Sequence, residues 1–348
     1  MKKFEFPILR YGLLLLALIL IVTMSFAQEK KARVACIAFY NVENLFDTIN
    51  SPGINDLEFT PFGSNRWNTE KYQNKLAKLS QVISCVGNDL VKGGPDLIGL
   101  SETENRSVLE DLINTPALRG SSYGIVHYDS PDRRGVDVAL LYKKSVFQVT
   151  NSTTNLLTMP GQTDFYSRDQ LVVSGLLDGE LIHVIVNHWP SRANGPEYRA
   201  EAAKLSRRLY DSLMQTHKNA KIFIIGDLND DPVDKSVAKV LGAKFRLKKV
   251  GKGDIFNPFW QMHRDGIGSL AYRDAWNLFD QIIISEPVLN APADKWKFLK
   301  ARVYNPRTLL QKEGAYAGYP WRTFAGGAYS GGYSDHLPVY VLLVKEAK

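Results

Sequence analysis

Six apolar runs in this chain are bounded by carboxylates, amides or imidazoles: FYNVEN (39–44), LIGLSETEN (97–105), VIVNHWPSR (184–192), IIGDLND (224–230), LFDQIII (278–284) and YSDHLPVYV (333–341). Burying such groups is costly unless each is paired or binds a metal. Six repeats of the arrangement predict that these ends converge at one edge of a sheet. A cluster of Glu, Asp and Asn oxygens suits a hard divalent cation, Mg²⁺ or Mn²⁺. Two histidines near the carboxylates suit proton transfer close to neutral pH. Metal, acids and imidazoles together are the equipment for phosphoryl-ester hydrolysis. Signatures of other chemistries are missing from the sequence: there is no HExxH, no G-x-S-x-G, no Walker-type loop and no paired CxxC.

Periodicity supplies the elements that must carry these groups. Residues 32–40 (ARVACIAFY) read as a strand that delivers Asn41 and Glu43. A loop rich in Pro, Gly, Asn and Asp follows over 47–68. Leu76, Leu79, Ile83, Val86 and Leu90 then form one helical stripe, capped by Asn68 or Thr69. Pro95 restarts the chain into a short strand, and a second helix is expected over 107–118. Strands are expected at 123–128, 136–142, 170–177 and 181–187, the last two joined by the hairpin signal Asp178-Gly179. A third helix over 197–214 places Leu205, Leu209 and Leu213 inside and Arg199, Lys204, Arg207 and Arg208 outside. The strand 221–226 ends in Asp227, and Asp230 and Asp231 cap a helix at 233–241. The last strands are expected at 279–285 and 337–344. Strands and helices mix without strict alternation, which predicts a mixed sheet core with outer helices.

Composition sets the wider frame. The chain has 348 residues, 45% hydrophobic and 23% charged, with a formal net charge of +7. These values exclude a disordered, collagen-like or coiled-coil chain and allow a large core without covalent staples. The mildly basic balance is compatible with a polyanionic substrate. Cys36 and Cys85 are too few for a disulfide framework and read as buried thiols, with one bridge open if the protein is exported. Lys2, Lys3 and Arg10 precede an apolar core at residues 13–22, and Ser25-Phe26-Ala27 precedes Gln28. This pattern predicts a signal peptide over 1–27, because the apolar core is far short of the roughly 20 residues that span a bilayer. The mature protein is expected outside the cytoplasm, periplasmic or secreted.

Taken in order, NVEN, SETEN, NHWPS, GDLND and SDHLP resemble the motifs of the endonuclease/exonuclease/phosphatase superfamily. That superfamily includes pancreatic-type deoxyribonucleases, exonuclease-III-like repair nucleases, neutral sphingomyelinases and inositol polyphosphate 5-phosphatases. The resemblance runs from Asn41 to Val341. It implies an α+β fold, a four-layer α/β/β/α sandwich of two packed mixed sheets, as a single domain over 28–348 with the site at one end.

The resemblance also implies roles. Glu102 matches the main metal-binding glutamate, Asn41 lies near metal and phosphate, and Asp335 completes the metal set. Glu43 stands where repair nucleases carry an aspartate, one methylene shorter. Asp227 orients or deprotonates water, or ligates a second ion, and Asn229 contacts phosphate. His336 acts as general base or phosphate stabiliser, oriented by Asp280. His188 replaces a tyrosine of the repair nucleases and donates to the leaving oxygen, with Asp137 as its partner. Strand alternation turns Asn187 to the opposite face. Arg168 and Arg134 are expected to bind phosphate; a structural salt bridge is the rival reading for Arg168. Arg133 and Arg192 are further candidates for a phosphate path. Residues 314–333 hold six glycines and six aromatics. Those rings either stack on bases or cover the core edge, and FNPFW (256–260) carries the same two readings.

The expected activity is that of an exported phosphodiesterase dependent on Mg²⁺, Mn²⁺ or Ca²⁺, most simply a nuclease on DNA or RNA. It would grip backbone phosphate without sequence specificity, as a monomer with no stable protein partner. Two alternatives stay open. One is a same-fold hydrolase of a sphingomyelin-like lipid, an inositol phosphate or a nucleotide. The other is a metal-free binding protein on the inherited fold.

Overall fold

Alternation along β1 (Ala32–Leu45) sets the architecture. Cys36, Ala38 and Tyr40 face one side, Ala35, Ile37 and Phe39 the other, and both sets are buried. A strand covered on both faces belongs to an inner layer. The computed structural model describes residues 32–347, so the leader read at 1–27 lies outside the described residues.

Two mixed sheets stack face to face. The first runs in the order β14 (Lys297–Val303), β17 (Val339–Glu346), β1, β2 (Leu97–Thr103), β4 (Asp137–Lys143), β3 (Tyr123–His127). The second runs β5 (Phe147–Asn155), β6 (Gln170–Leu177), β7 (Glu180–His188), β8 (Lys221–Asp227), β13 (Asp280–Ser285), β10 (Ile255–Phe256), β9 (Ala243–Lys244). Two small hairpins, β11/β12 (Leu270–Tyr272, Ala275–Asn277) and β15/β16 (Phe324–Ala325, Ala328–Tyr329), lie beside them. Helices α1 (Thr69–Cys85) and α2 (Arg106–Asn114) bury their apolar stripes on the outer face of the first sheet. On the outer face of the second sheet lie α3 (Pro196–Thr216) and the helical turn Ser236–Leu241. Two shorter helices, α4 (Phe259–Arg264) and α5 (Glu286–Leu289), complete the set. The result is the α/β/β/α sandwich. Among the described residues no helix is long and apolar enough to cross a membrane.

Strand direction explains why the polar ends meet. β1 and β2 are parallel, as are β7 and β8, so each pair ends together. β17 is antiparallel to β1, and β13 to β8, so these two begin where their neighbours end. The termini of six strands therefore share one edge.

Several local expectations shift. α1 is capped by the Asn68 side chain on the Lys71 N–H and stops at Val86, because Gly87 turns the chain at φ +72. Leu90, placed on the helical stripe, lies beyond that turn and is exposed. α2 ends at Asn114, and Asn105 caps its start. Arg199, expected outside, is buried, with its Nε 2.7 Å from Asp230 Oδ1. Asp230 is thus an ion-pair partner, and it also accepts from the Ser236 hydroxyl at 2.6 Å. β5 and β14 had no clear apolar signal because they are edge strands, FQVTNSTTN and KFLKARV, whose polar and charged residues suit an exposed edge. The Asp178-Gly179 turn is as expected, both residues taking positive φ (50° and 80°).

The sheets approach closely at Gly99 in β2. A Cβ there would stand 2.6 Å from Ile225 Cδ1 and 3.1 Å from both Val186 Cγ1 and Phe39 Cδ2. Ile225 and Val186 belong to the opposite sheet, so the absent side chain sets how near the layers come. Gly99→Ala should overpack this contact and cost about 1–3 kcal/mol in urea denaturation. An unchanged midpoint would mean that the layers are not so tightly apposed.

Candidate active site

Asp227, buried at the end of β8, receives groups from both sheets. Its Oδ2 accepts from Asn41 Nδ2 at 3.0 Å, a bond that crosses from the first sheet to the second. Its Oδ1 accepts from the Asn229 N–H at 2.9 Å, and Asn229 takes a left-handed φ of 50°. The Nε2 atoms of His188 and His336 lie 3.7 and 3.8 Å from the same Oδ2. Burial, helped by Asp280, pushes the Asp227 carboxyl up to about 6 against the pull of His336.

The two histidines are held in opposite states. Burial disfavours the charged form of His336, but Asp280 and Asp227 outweigh it and keep its pKa well above the ordinary value. Its Nδ1 is 2.6 Å from Asp280 Oδ2, which also accepts from Ser269 Oγ at 2.5 Å. His188 is pushed well below the ordinary value by burial, then by Arg168, Arg134 and His336. Its Nδ1 has no partner among the described residues. Environments that separate two titrating groups in this way assign them different tasks. A histidine held protonated serves as donor and charge stabiliser. Of the two roles open to His336, its surroundings favour phosphate stabilisation over that of base.

Asn187 points away from the site, bonding Ile185 O, Ile225 O and Ser206. Asp137 does not meet His188. It binds His127 Nε2 at 3.1 Å and both the N–H and hydroxyl of Ser130, because β4 places it on the far side of the loop.

The oxygen donors divide. Glu102 sits at φ +63, a conformation costly for a residue with a Cβ and kept only where the surroundings impose it. Its Oε2 accepts from the Asn44 N–H at 3.0 Å. Among the described residues its Oε1 has only distant neighbours, the Arg134 guanidinium at 3.8 Å and the His188 imidazole at 3.9 Å. That leaves a hard, one-sided oxygen donor at the site. Asp335 is partly exposed, 3.4 Å from Arg322 Nη2, and its Oδ1 is 4.0 Å from His336 Nε2. These two carboxylates fit a divalent cation in donor chemistry. Asn41 and Glu43 are committed elsewhere. The Asn41 amide donates to Asp227 and its oxygen accepts from the Glu43 N–H at 2.9 Å. Glu43 Oε2 accepts from the Thr323 N–H and hydroxyl, both at 2.7 Å, and lies 3.5 Å from Lys75 Nζ. Burial and then Asp335 push this carboxyl up to about 7. Asp227, Asp280 and His336 form an acid–imidazole cluster at the site, with one ligand atom of each within 4.8 Å of the others.

Glu102, Arg134, Arg168, His188, Asp227, Asn229 and His336 line one open cavity of about 310 Å³. Asp280 stands behind His336. Arg168 is buried in an ion pair with Asp132 at 3.1 Å and donates to Trp189 O at 2.8 Å, while its Nε lacks a partner among the described residues. The salt bridge is thus present, and Arg168 still faces the cavity. Arg134 is half exposed and donates to Asn44 Oδ1 at 2.6 Å. Asn229 spends its Nδ2 on Trp189 O. Arg192 is tied to Asp231 and Asp234, away from the cavity lining.

Sequence reasoning missed the residues that hold these groups. Ser334 Oγ donates to Asn41 O at 2.7 Å and accepts from the His336 N–H, linking the two strand ends. Lys75 is fully buried and donates to Thr323 Oγ1 at 2.6 Å and Tyr333 O at 2.9 Å, anchoring the glycine-rich loop that leads into Asp335. A lysine inside the apolar stripe of α1 was the available signal. The loop's rings pack together and against α1: Trp321 meets Tyr333, Phe324 meets Tyr329, and Lys71 and Lys78 lie over them. The core-covering reading describes these rings. In FNPFW, Phe259 is buried in the core and Trp260 stacks on Phe245 at 4.3 Å.

A family model described as Endonuclease/Exonuclease/phosphatase family matches residues 36–345. No curated protein matches the sequence. Among solved structures, an endonuclease/exonuclease/phosphatase family protein from Bacteroides thetaiotaomicron is similar at TM-score 0.55 and 16% identity, over 91% of this chain and 97% of its own. A mannosyl-6-phosphatase from the same organism is similar at TM-score 0.55 and 16% identity, over 89% and 99%. D. rerio TDP2 complexed with single strand DNA product is similar at TM-score 0.54 and 15% identity, over 89% and 98%. At these identities the likeness is one of fold.

The histidine partition has a pH consequence. In chelated protein followed by NMR, His336 should stay protonated above pH 6.5 and His188 should stay neutral well below it. Asp280→Asn removes the main support of the His336 cation, so its titration should move to lower pH. A His336 titration that does not move would break the assigned pairing.

Proposed function

The chain belongs to the endonuclease/exonuclease/phosphatase family, whose members are phosphoester hydrolases, and from that premise we propose that it is an exported, divalent-metal-dependent nuclease hydrolysing the backbone of DNA or RNA. The observation that carries the reading is the pair of histidines, one held charged and one neutral, sharing Asp227 opposite Glu102 in a single cavity. Arg134 and Arg168 on that cavity supply cationic partners for a backbone phosphate. The D. rerio TDP2 structure with single strand DNA product lends support from a protein of like fold.

Glu102 and Asp335 would hold the cation, which when bound supplies Lewis-acid stabilisation of developing negative charge. The chain's own groups do the rest. Asp227, near pH 6 and buried, is placed to orient a water and take its proton. His336, its Nδ1 held by Asp280, presents Nε2 as a charged donor to a phosphoryl oxygen. Neutral His188 offers a hydrogen bond toward the leaving oxygen. Asn41 positions Asp227 and keeps it from turning away.

A second reading, a phosphatase acting on a monoester, is favoured by the likeness to the mannosyl-6-phosphatase. A panel of plasmid DNA, RNA, sphingomyelin, inositol phosphates, nucleotides and sugar phosphates, run with Mg²⁺, Mn²⁺, Ca²⁺ or chelator, separates the two. Turnover confined to monoesters would set the nuclease aside. Glu102→Gln removes a charge at nearly constant shape and should lower turnover by about 10²-fold or more with little change in stability. Wild-type activity and metal dependence in that variant would show the site to be misassigned.

Export rests on the leader, and the single-domain reading of 28–348 accompanies it. Amino-terminal sequencing of exported protein should start at or near Gln28. A full-length chain retained in membranes would replace the signal peptide with an anchor.

A further inference from the structure

Beside the reaction centre lies a second, smaller cavity of about 230 Å³. Its walls come from the end of β1 (Glu43, Asn44), the loop carrying Glu58 and Asn65, and Thr323. Arg134 lines both cavities, and Asn44, whose N–H holds Glu102, lines the smaller. The two spaces are therefore adjacent across the Glu102 support.

We propose that this cavity binds a hydroxylated sugar ring of the substrate while its phosphate occupies the larger, arginine-lined cavity. The inference rests on the phosphoester-hydrolase reading and names which part of the alcohol is recognised. Size gives the first argument. The volume lies below the roughly 300 Å³ at which pockets hold a whole small ligand, so it takes one part of a larger molecule.

Charge gives the second. Glu43, Asn44, Glu58, Asn65 and Thr323 line the cavity against one cation, Arg134, on the wall it shares with the larger cavity, and hydroxyls, which both donate and accept, match such a carboxylate and amide lining. Glu43 keeps its Oε2 on Thr323 and Lys75. Asn65 Nδ2 donates to Glu58 Oε2 at 3.2 Å, so the loop presents an organised polar pair.

The aromatic neighbours exclude a stacked base. Phe59 stacks on Phe46 at 4.3 Å, Trp67 is fully buried with its N–H on Phe46 O, and Phe324 packs between Trp67 and Tyr329. The rings that line the cavity are thus packed on other rings of the protein rather than presented as an open platform of the kind base binding needs.

The sugar could be the pentose of a nucleic acid or the hexose of a sugar phosphate, and the test separates them. Steady-state kinetics of the mature protein with Mg²⁺ would compare wild type, Glu58→Ala and Asn65→Ala. The substrates are an oligodeoxynucleotide, an oligoribonucleotide, a hexose 6-phosphate and bis(p-nitrophenyl) phosphate, which has no sugar. KM for the sugar-bearing substrate should rise about tenfold in each variant, with kcat retained and bis(p-nitrophenyl) phosphate unaffected. The substrate that responds identifies the sugar. Unchanged KM values in an active enzyme, or an equal rise on the sugar-free ester, would overturn this inference alone. A wild type that hydrolyses none of the four would overturn it together with the function it rests on.

Discussion

The hydrogen bond from Asn41 Nδ2 to Asp227 Oδ2 joins the two sheets at the end where the chemistry is placed. A carboxylate buried this deeply is costly unless paired, and its partners come from strands far apart in sequence. Asn41 ends the inward run of β1, His188 ends β7, and His336 precedes β17. Each can reach Asp227 only if the sheets are stacked with their ends level. The close approach at Gly99 and the alternation of Ile37 and Phe39 against Ile225 and Val186 enforce that stacking. The packing of the core and the geometry of the site are thus one constraint.

Around this hub, buried charge is distributed so that neighbouring groups differ in state. Among the described residues Asp280 has no cationic partner except His336, which explains why the imidazolium is supported there. His188 sits among Arg168, Arg134 and His336, all of which oppose a further positive charge. The same logic governs Glu43, whose burial and nearness to Asp335 are eased by Lys75 and Thr323. Because Lys75 also binds the Tyr333 carbonyl, the pairing of a buried carboxylate fixes the path of the loop that delivers Asp335 and His336. Buried charges satisfied from Thr323 and Tyr333 hold that segment's backbone in place.

Loops line the cavities at this edge, while the candidate catalytic groups sit at strand ends. The wall formed by residues 57–67 and the glycine-rich segment lies outside the two sheets. On our proposal the acids and amides of the smaller cavity take hydroxyls and the arginines of the larger take the phosphate, with Arg134 on the wall that both share.

By itself the sequence determined the strands, the helices and the residue types at the edge, and the resemblance of its motifs implied the layer architecture. The apolar run ARVACIAFY, the helical stripe from Leu76 to Val86, and the Asp178-Gly179 turn are local signals set by backbone geometry, and they survive any change in distant packing. The motifs GDLND and SDHLP likewise announce themselves because polar groups at the ends of apolar strands are expensive. Only the tertiary structure decided partnerships. Asp137 lies near the right motif in sequence yet pairs with His127, and Arg199 reads as a surface residue yet is buried on Asp230. Lys75, which the sequence did not single out, is buried and anchors the loop that leads into Asp335. A hydrogen bond depends on distances of a few tenths of an ångström between atoms brought together by the whole fold, and sequence spacing does not carry that information. The same holds for the opposite states of His188 and His336: both are histidines after apolar runs, and only the charges packed around each distinguish them.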